Sequence, residues 1–118
     1  KLAMDERLEK ALEFANYRIT LGNQKRNIRS RMEVLQAVHY NSGSFIANPT
    51  TISFVNTLIN LGKKTAVVID TKDNPIEIDD LKDFQNSLVD AYYNASNEYK
   101  VQMDKVKKSR NIKKIMDW

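Results

Sequence analysis

The sequence predicts an α+β fold that is mostly α, in which two long antiparallel helices form a helical hairpin and a small head joins them. Two proline-free stretches, residues 5–40 and 80–116, repeat apolar residues every three or four positions. The segment between them changes period and becomes rich in Val and Ile. The two ends of the chain carry opposite charge. We therefore expect one domain, with a helix over 4–41, an α/β head over 44–78 and a helix over 80–116.

The first helix is predicted by its apolar spacing. Its apolar positions are Leu8, Leu12, Ala15 and Ile19, followed by Leu21, Ile28, Met32, Leu35 and Val38. The second set is offset from the first near Gly22, so the apolar stripe shifts across the helix surface there. Gly43 follows Asn41 and Ser42, and we expect it to supply the left-handed cap that ends this helix.

The head is predicted to contain a short helix and one β-hairpin. Asn48 or Thr50 can cap the helix, Pro49 suits its first turn, and Gly62 ends it. Residues 65–70 and 75–78 have the composition of strands, and residues 71–74 have the composition of a turn.

The last helix is predicted to begin after Asp79 or Asp80, either of which can cap it. Its apolar line is Leu81, Phe84, Leu88, Tyr92, Ala95, Tyr99, Met103 and Val106. A helix of about 30 residues is about 45 Å long. Each long helix has one narrow apolar stripe to bury, so we expect the two to pair with each other.

No residue pattern predicts catalysis, a cofactor or a metal, and we expect the protein not to be an enzyme. The chain has no cysteine and one histidine, His39, so a Cys/His nucleophile or a zinc site of the Cys type is excluded. The acidic residues of the head do not have calcium-loop spacing; they are Asp70, Asp73, Glu77, Asp79 and Asp80. The three glycines form no phosphate-binding array.

No membrane span is expected. The uncharged stretch 34–62 is interrupted by Gly43 and Pro49, so it indicates a buried or interface-facing segment. The residues before Met4 are compatible with a cloning remnant, in which case the native chain starts at Met4 without a signal sequence. The absence of cysteine leaves the reducing cytoplasm as the default compartment.

Charge has two interpretations. An antiparallel hairpin places the acidic residues of the first helix (Asp5, Glu6, Glu9, Glu13) opposite the basic residues near the C terminus (Lys105, Lys107, Lys108, Arg110, Lys113, Lys114). Alternatively, with a net charge of +4, the surplus cations meet an acidic surface or nucleic acid. The candidate phosphate contacts are Lys25, Arg29, Lys107, Lys108, Lys113 and Lys114.

Two surfaces are predicted to bind other subunits. A small sheet has an open edge, so we expect a homo-oligomer interface at Phe54, Leu58, Val67, Val68 and Ile69. The apolar C-terminal residues Ile112, Ile115, Met116 and Trp118 form either a docking peptide for a protein partner or the last turn that covers Leu8 and Leu12.

Three segments carry a resemblance to a known family. They are the run from Leu8 to Arg18, the segment from Asp73 to Ile76, and the run from Asn97 through Tyr99 into the lysine-rich tail. Together they resemble small conserved proteins of T4-like tailed phages, including cyanophages, of the prohead core or scaffold-associated type. The resemblance implies a structural accessory in phage head assembly that acts through helix-mediated contacts and has no catalytic residue. For a phage-encoded protein the expected compartment is the cytoplasm of the host cell.

Two alternatives from other classes stay open. Long helices, exposed charge of both signs and a small head are also features of a prefoldin-like chaperone clamp. The basic clusters fit a nucleic-acid-binding accessory protein, which would show salt-sensitive binding to DNA or RNA.

Overall fold

The chain is mostly helical, with three helices and two small antiparallel β-hairpins, which confirms the predicted mostly α, α+β class. The structure is a computed structural model that describes the backbone of residues 2–116 and the side chains of residues 5–109. The elements in chain order are α1 (Leu2–Leu35), β1 (Ala37–Tyr40), β2 (Gly43–Ile46), α2 (Pro49–Asn60), β3 (Ala66–Ile69), β4 (Pro75–Ile78) and α3 (Leu81–Met116).

The long helices α1 and α3 pack against each other in opposite directions. Arg31 lies 3.8 Å from Glu98, whereas Ile28, earlier in α1, lies beside Val106, later in α3. The molecule is correspondingly elongated, at 74 × 25 × 18 Å. No helix among the described residues has the length and apolarity that crossing a membrane requires.

The core lies where the two hairpins and α2 pack on the first turns of α3, around Phe84. The rings of Tyr40 and Phe45, from β1 and β2, lie 5.1 and 4.8 Å from the Phe84 ring, centroid to centroid. Ile78 and Leu81 are fully buried beside them. Aromatic pairs at these distances add to the free energy gained by burial alone.

The apolar line of α3 has the predicted orientation, but only half of the α1 stripe is covered. Every residue of the α3 line is buried or half-buried. On α1, Leu21, Ile28, Met32 and Leu35 are half-buried. The four apolar residues nearer the N terminus, Leu8, Leu12, Ala15 and Ile19, are all exposed. The shift of the stripe near Gly22 therefore separates a covered part of α1 from an uncovered part.

The predicted first helix, 4–41, is wrong at its C-terminal end. It stops at Leu35, and residues 37–40 instead form β1, which pairs with β2. Asn41 and Ser42 both have positive φ, 47° and 67°, as a two-residue type I′ hairpin turn requires. Gly43 is not a helix cap; it lies in β2, where its φ is not positive. The head therefore contains two hairpins, whereas one was predicted.

The other helix boundaries follow local capping. The Asn48 side chain accepts a hydrogen bond from the Thr51 N–H at 2.8 Å, so Asn48, not Thr50, caps α2. The Asp80 carboxylate accepts from the Asp83 N–H at 3.1 Å and caps α3. Gly62, with φ of 84°, follows the end of α2 in the left-handed conformation that glycine adopts without strain.

Candidate functional site

A buried carboxylate joins the two hairpins. Asp70, 6% exposed, follows β3, and its Oδ2 accepts a hydrogen bond from the Ser44 N–H of β2 at 3.0 Å. Its Oδ1 accepts from the N–H groups of Lys72 and Asn74, each at 2.9 Å. These bonds, the one from Ser44 foremost, lower the pKa of Asp70 because they stabilise the ionised form.

The hairpins also touch through backbone and side-chain contacts. The N–H of Thr71 donates to the C=O of Ser44 at 2.9 Å. Gly43 packs so closely on Ile76 that a Cβ added to it would lie 2.6 Å from the Ile76 Cγ1. These contacts hold β2 beside the residues that follow β3. Among the described residues, no backbone hydrogen bond joins β2 to β3 itself.

A groove lies between β2, β3 and the start of α2. It has a volume of about 510 Å³. Three apolar side chains that line it are unusually exposed: Phe54 at 51%, Val67 at 63% and Ile69 at 68%. The remaining lining residues are Phe45, Ile46, Asn48, Thr50, Thr51, Val68, Asp70 and Thr71. The lining contains no Lys, Arg or Glu, and its single charge, on Asp70, is already hydrogen-bonded within the protein.

The backbone edge of β3 is unpaired in this groove. Antiparallel strands alternate between residue pairs that exchange two backbone hydrogen bonds and pairs that exchange none. The Asp70 N–H donates to the Asn74 C=O at 2.9 Å, which sets the phase of the alternation. Val67 and Ile69 lie three and one positions before Asp70, so their N–H and C=O groups point away from β4. No backbone partner for either residue occurs on that side among the described residues.

The outer edge of β4 is blocked. Pro75, opposite Ile69, has no N–H to offer, and Glu77, opposite Val67, places a charge on the strand. The C=O of Glu77 also accepts a hydrogen bond from the Asn41 side chain at 2.9 Å. Proline, charge and a capping side chain are all devices that stop a strand edge from pairing with another chain.

The edges of the first hairpin are also less available than that of β3. On β2, Ser44 bonds to Thr71 and Asp70 as described, and the Ile46 C=O accepts from the Asn48 N–H at 3.0 Å. On β1, the two-residue turn makes Ala37 and His39 the outward-facing positions. The side chain of Ala37 is small and that of His39 is polar, so this edge presents no large apolar surface. Within residues 37–78, β3 alone combines an open backbone edge with large exposed apolar side chains.

The structure brings four of the five residues predicted for the oligomer interface to the groove. Phe54, Val67 and Ile69 line the groove and are exposed. Val68 also lines the groove but points inward and is only 7% exposed. Leu58 packs against the core and does not line the groove. The contribution of β2 to the groove, through Phe45 and Ile46, was missed because the first hairpin was interpreted as the end of a helix. The signal that marks this hairpin is the Asn41-Ser42 dipeptide between Tyr40 and Phe45.

The predicted phosphate contacts whose side chains the structure describes lie on the long helices, away from the groove. Lys25 and Arg29 of α1 and Lys107 and Lys108 of α3 are exposed. Among residues 5–109 a single ion pair joins α1 to α3, between Arg31 and Glu98, so the predicted pairing of the acidic N-terminal residues with Lys105–Lys108 is not formed there. The side chains of Arg110, Lys113 and Lys114 lie outside the described residues, as do those of the predicted docking peptide, Ile112, Ile115, Met116 and Trp118.

The single histidine lies on the surface of the first hairpin. His39 is exposed, and its Nδ1 lies 3.3 Å from the Ser44 Oγ, a pair in which either atom can donate depending on the tautomer. In the part of the chain that the structure describes, no three His, Cys, Asp or Glu side chains are close enough to hold a metal ion.

Compared with protein-family models, with curated proteins and with solved structures, the chain matches none of them.

Proposed function

We propose that this protein is a non-enzymatic assembly subunit that self-associates through the groove of its head. The observation that carries the proposal is the open edge of β3, where unpaired backbone groups coincide with the exposed side chains of Val67 and Ile69. A strand edge of this kind is a template for pairing with another chain. The other strand edges of the head are blocked, partly used or polar, which favours β3 as the point of contact.

The proposed setting is the assembly of a phage head, in or near the prohead core. The resemblance of three segments of the sequence to proteins of T4-like tailed phages supports this setting. In this proposal α1 and α3 act as a helical hairpin that projects from the head and presents its surface to other structural proteins. Part of that surface is apolar and could be buried against a partner. Its exposed apolar residues on α1 are Leu8, Leu12, Phe14 and Ile19.

Self-association can be tested with a matched pair of substitutions. Ile69→Lys places a charge on the open edge, and Leu61→Lys places the same charge at another exposed apolar position of the head. The two side chains are 68% and 70% exposed, and Leu61 does not line the groove. We expect the unsubstituted protein and Leu61→Lys to be oligomeric by light scattering after size-exclusion chromatography. Ile69→Lys should be monomeric at the same concentration.

Circular dichroism must show equal helix content for all three proteins, so that loss of the oligomer is not loss of the fold. An unsubstituted protein that stays monomeric up to about 100 μM would contradict the proposal, because the dissociation constant for self-association would then lie above that concentration. Equal loss of the oligomer in both variants would also contradict it, because net charge alone would then explain the effect.

A further inference from the structure

The open edge of β3 has the properties needed to pair with a second copy of itself. It presents two N–H donors and two C=O acceptors, on Val67 and Ile69, with one inward-facing residue between them. The donors and acceptors are arranged symmetrically about Val68. A two-fold axis midway between Val68 and Val68 of the partner subunit therefore matches every donor of one strand to an acceptor of the other.

We infer that two copies join by antiparallel pairing of their β3 strands about such an axis, which extends the proposed self-association to a specific geometry and rests on it. Val67 then lies opposite Ile69 of the partner subunit, and the reverse pair forms on the other side of the axis. Each of these pairs exchanges two backbone hydrogen bonds, and Val68 meets Val68 of the partner subunit as a pair without such bonds. The two hairpins become one four-stranded sheet.

Side chains favour the same arrangement. Val67 and Ile69 lie on one face of β3, opposite to the buried Val68, so pairing places four β-branched side chains next to one another. Cross-strand pairs of β-branched residues stabilise a sheet, and here they also exclude water from one another. Phe54, which lines the same groove and is 51% exposed, adds apolar surface beside them.

Charge favours the antiparallel direction over the parallel one. The residues just before β3, Lys63 and Lys64, are exposed and carry a charge of +2. The residues just after it, Asp70, Lys72 and Asp73, sum to −1. In the inferred register the antiparallel arrangement places Lys63 opposite Asp73 of the partner subunit and Lys64 opposite Lys72 of the partner subunit, whereas parallel in-register pairing places like charges opposite one another at every one of these positions. Like charges directly opposed destabilise a strand pair.

The absence of cysteine from the sequence makes this register directly testable by disulfide cross-linking. Two full-length variants are needed, Val67→Cys and Ile69→Cys, each oxidised alone and as an equimolar mixture. In the inferred register, positions 67 and 69 of the two copies have Cα atoms about 5.5 Å apart, within the range that a disulfide bridges. Like positions are offset by two residues, about 7 Å along the strand in addition to the strand spacing, and cannot be bridged.

We expect a cross-linked dimer from the mixture, at least tenfold more abundant than from either variant alone. Leu61→Cys, alone or mixed with Ile69→Cys, serves as the control for random collision and should stay uncross-linked. Stronger cross-linking of either variant with itself, or none in the mixture while the reduced variants are dimeric by light scattering, would overturn the inferred geometry and leave self-association standing. Monomeric reduced variants together with a monomeric unsubstituted protein would overturn both.

Discussion

At the scale of single residues, Asp70 is the group that most directly shapes the candidate site. Its carboxylate accepts three backbone N–H groups, from Ser44, Lys72 and Asn74, and thereby ties the second hairpin to β2. One oxygen organises its own turn while the other reaches the neighbouring hairpin. The groove begins at this junction, so the ionised side chain of Asp70, together with the Thr71–Ser44 backbone hydrogen bond, positions the open β3 edge.

Substitution Asp70→Asn should destabilise the protein at neutral pH and lose its effect in acid. The folded-state pKa of Asp70 is lowered, chiefly by the hydrogen bond from Ser44, so its contribution to stability is complete above the unfolded-state pKa of about 3.9. The contribution is lost as the pH falls through the folded-state pKa. Thermal unfolding between pH 7 and pH 2.5 should show a lower midpoint for the variant at pH 7 and a gap that closes below about pH 4.

Asp73→Asn is the matched control because it removes the same charge from the same turn. Asp73 has a φ of 61°, a conformation that Asn adopts readily, and its side chain makes no hydrogen bond among the described residues. Its unfolding midpoint should stay close to that of the unsubstituted protein at pH 7. An Asp70→Asn gap that is equal at pH 7 and pH 2.5 would refute the role assigned to the carboxylate.

At the scale of elements, the head depends on how the two hairpins pack. Gly43 of β2 faces Ile76 of β4, and there is no room between them for a methyl group, since an added Cβ would lie 2.6 Å from Ile76 and 2.9 Å from the Phe45 ring. A glycine in a strand often marks such a close approach. Here it is the steric fit and not a positive φ that requires glycine.

Gly43→Ala should therefore lower the free energy of unfolding by about 1–3 kcal/mol, the usual cost of overpacking. The measurement is urea denaturation of the variant, of Ile76→Ala and of the double variant. If the clash with Ile76 is the cause, Gly43→Ala will cost clearly less in the Ile76→Ala background, as expected for residues in contact. The same cost in both backgrounds would place the cause elsewhere, for example in the Phe45 ring.

At the scale of the whole molecule, the elongated shape separates the head, which contains the groove, from the long helices that project from it. The radius of gyration is 21.9 Å, whereas a compact domain of this length has about 13–14 Å. The head, residues 37–81, lies at one end of the antiparallel helices, and the groove belongs to the head. The proposed contact through β3 would therefore leave the long faces of α1 and α3 available for other proteins.

Small-angle X-ray scattering of the proposed oligomer should give a maximum dimension beyond the 74 Å of one chain when the long helices of the two copies project away from the joined heads. Ile69→Lys should return the maximum dimension to that of a single chain. A dimer whose maximum dimension stays near 74 Å, and is unchanged by Ile69→Lys, would contradict assembly through the head.

Local sequence patterns were sufficient for the elements whose residues satisfy one another nearby. The last helix, with its Asp80 cap and continuous apolar line, and the second hairpin, with its turn at residues 71–74, were both predictable because capping and periodicity act within a few residues. The open edge expected for a small sheet was also predictable at Val67 and Ile69. The groove that β2 and the start of α2 form beside this edge was not predictable from local patterns.

Tertiary structure alone decided the state of residues 37–40 and the existence of the groove. Leu35 and Val38 continue a helical spacing, so the pattern permits a helix through this segment. It is a strand because Val38 and Tyr40 pack around Phe84 while the backbone pairs with β2, and Phe84 lies more than 40 residues away in the sequence. Similarly, local periodicity marks Leu8 and Leu12 as apolar positions of a helix. Whether anything covers them depends on contacts with distant parts of the chain.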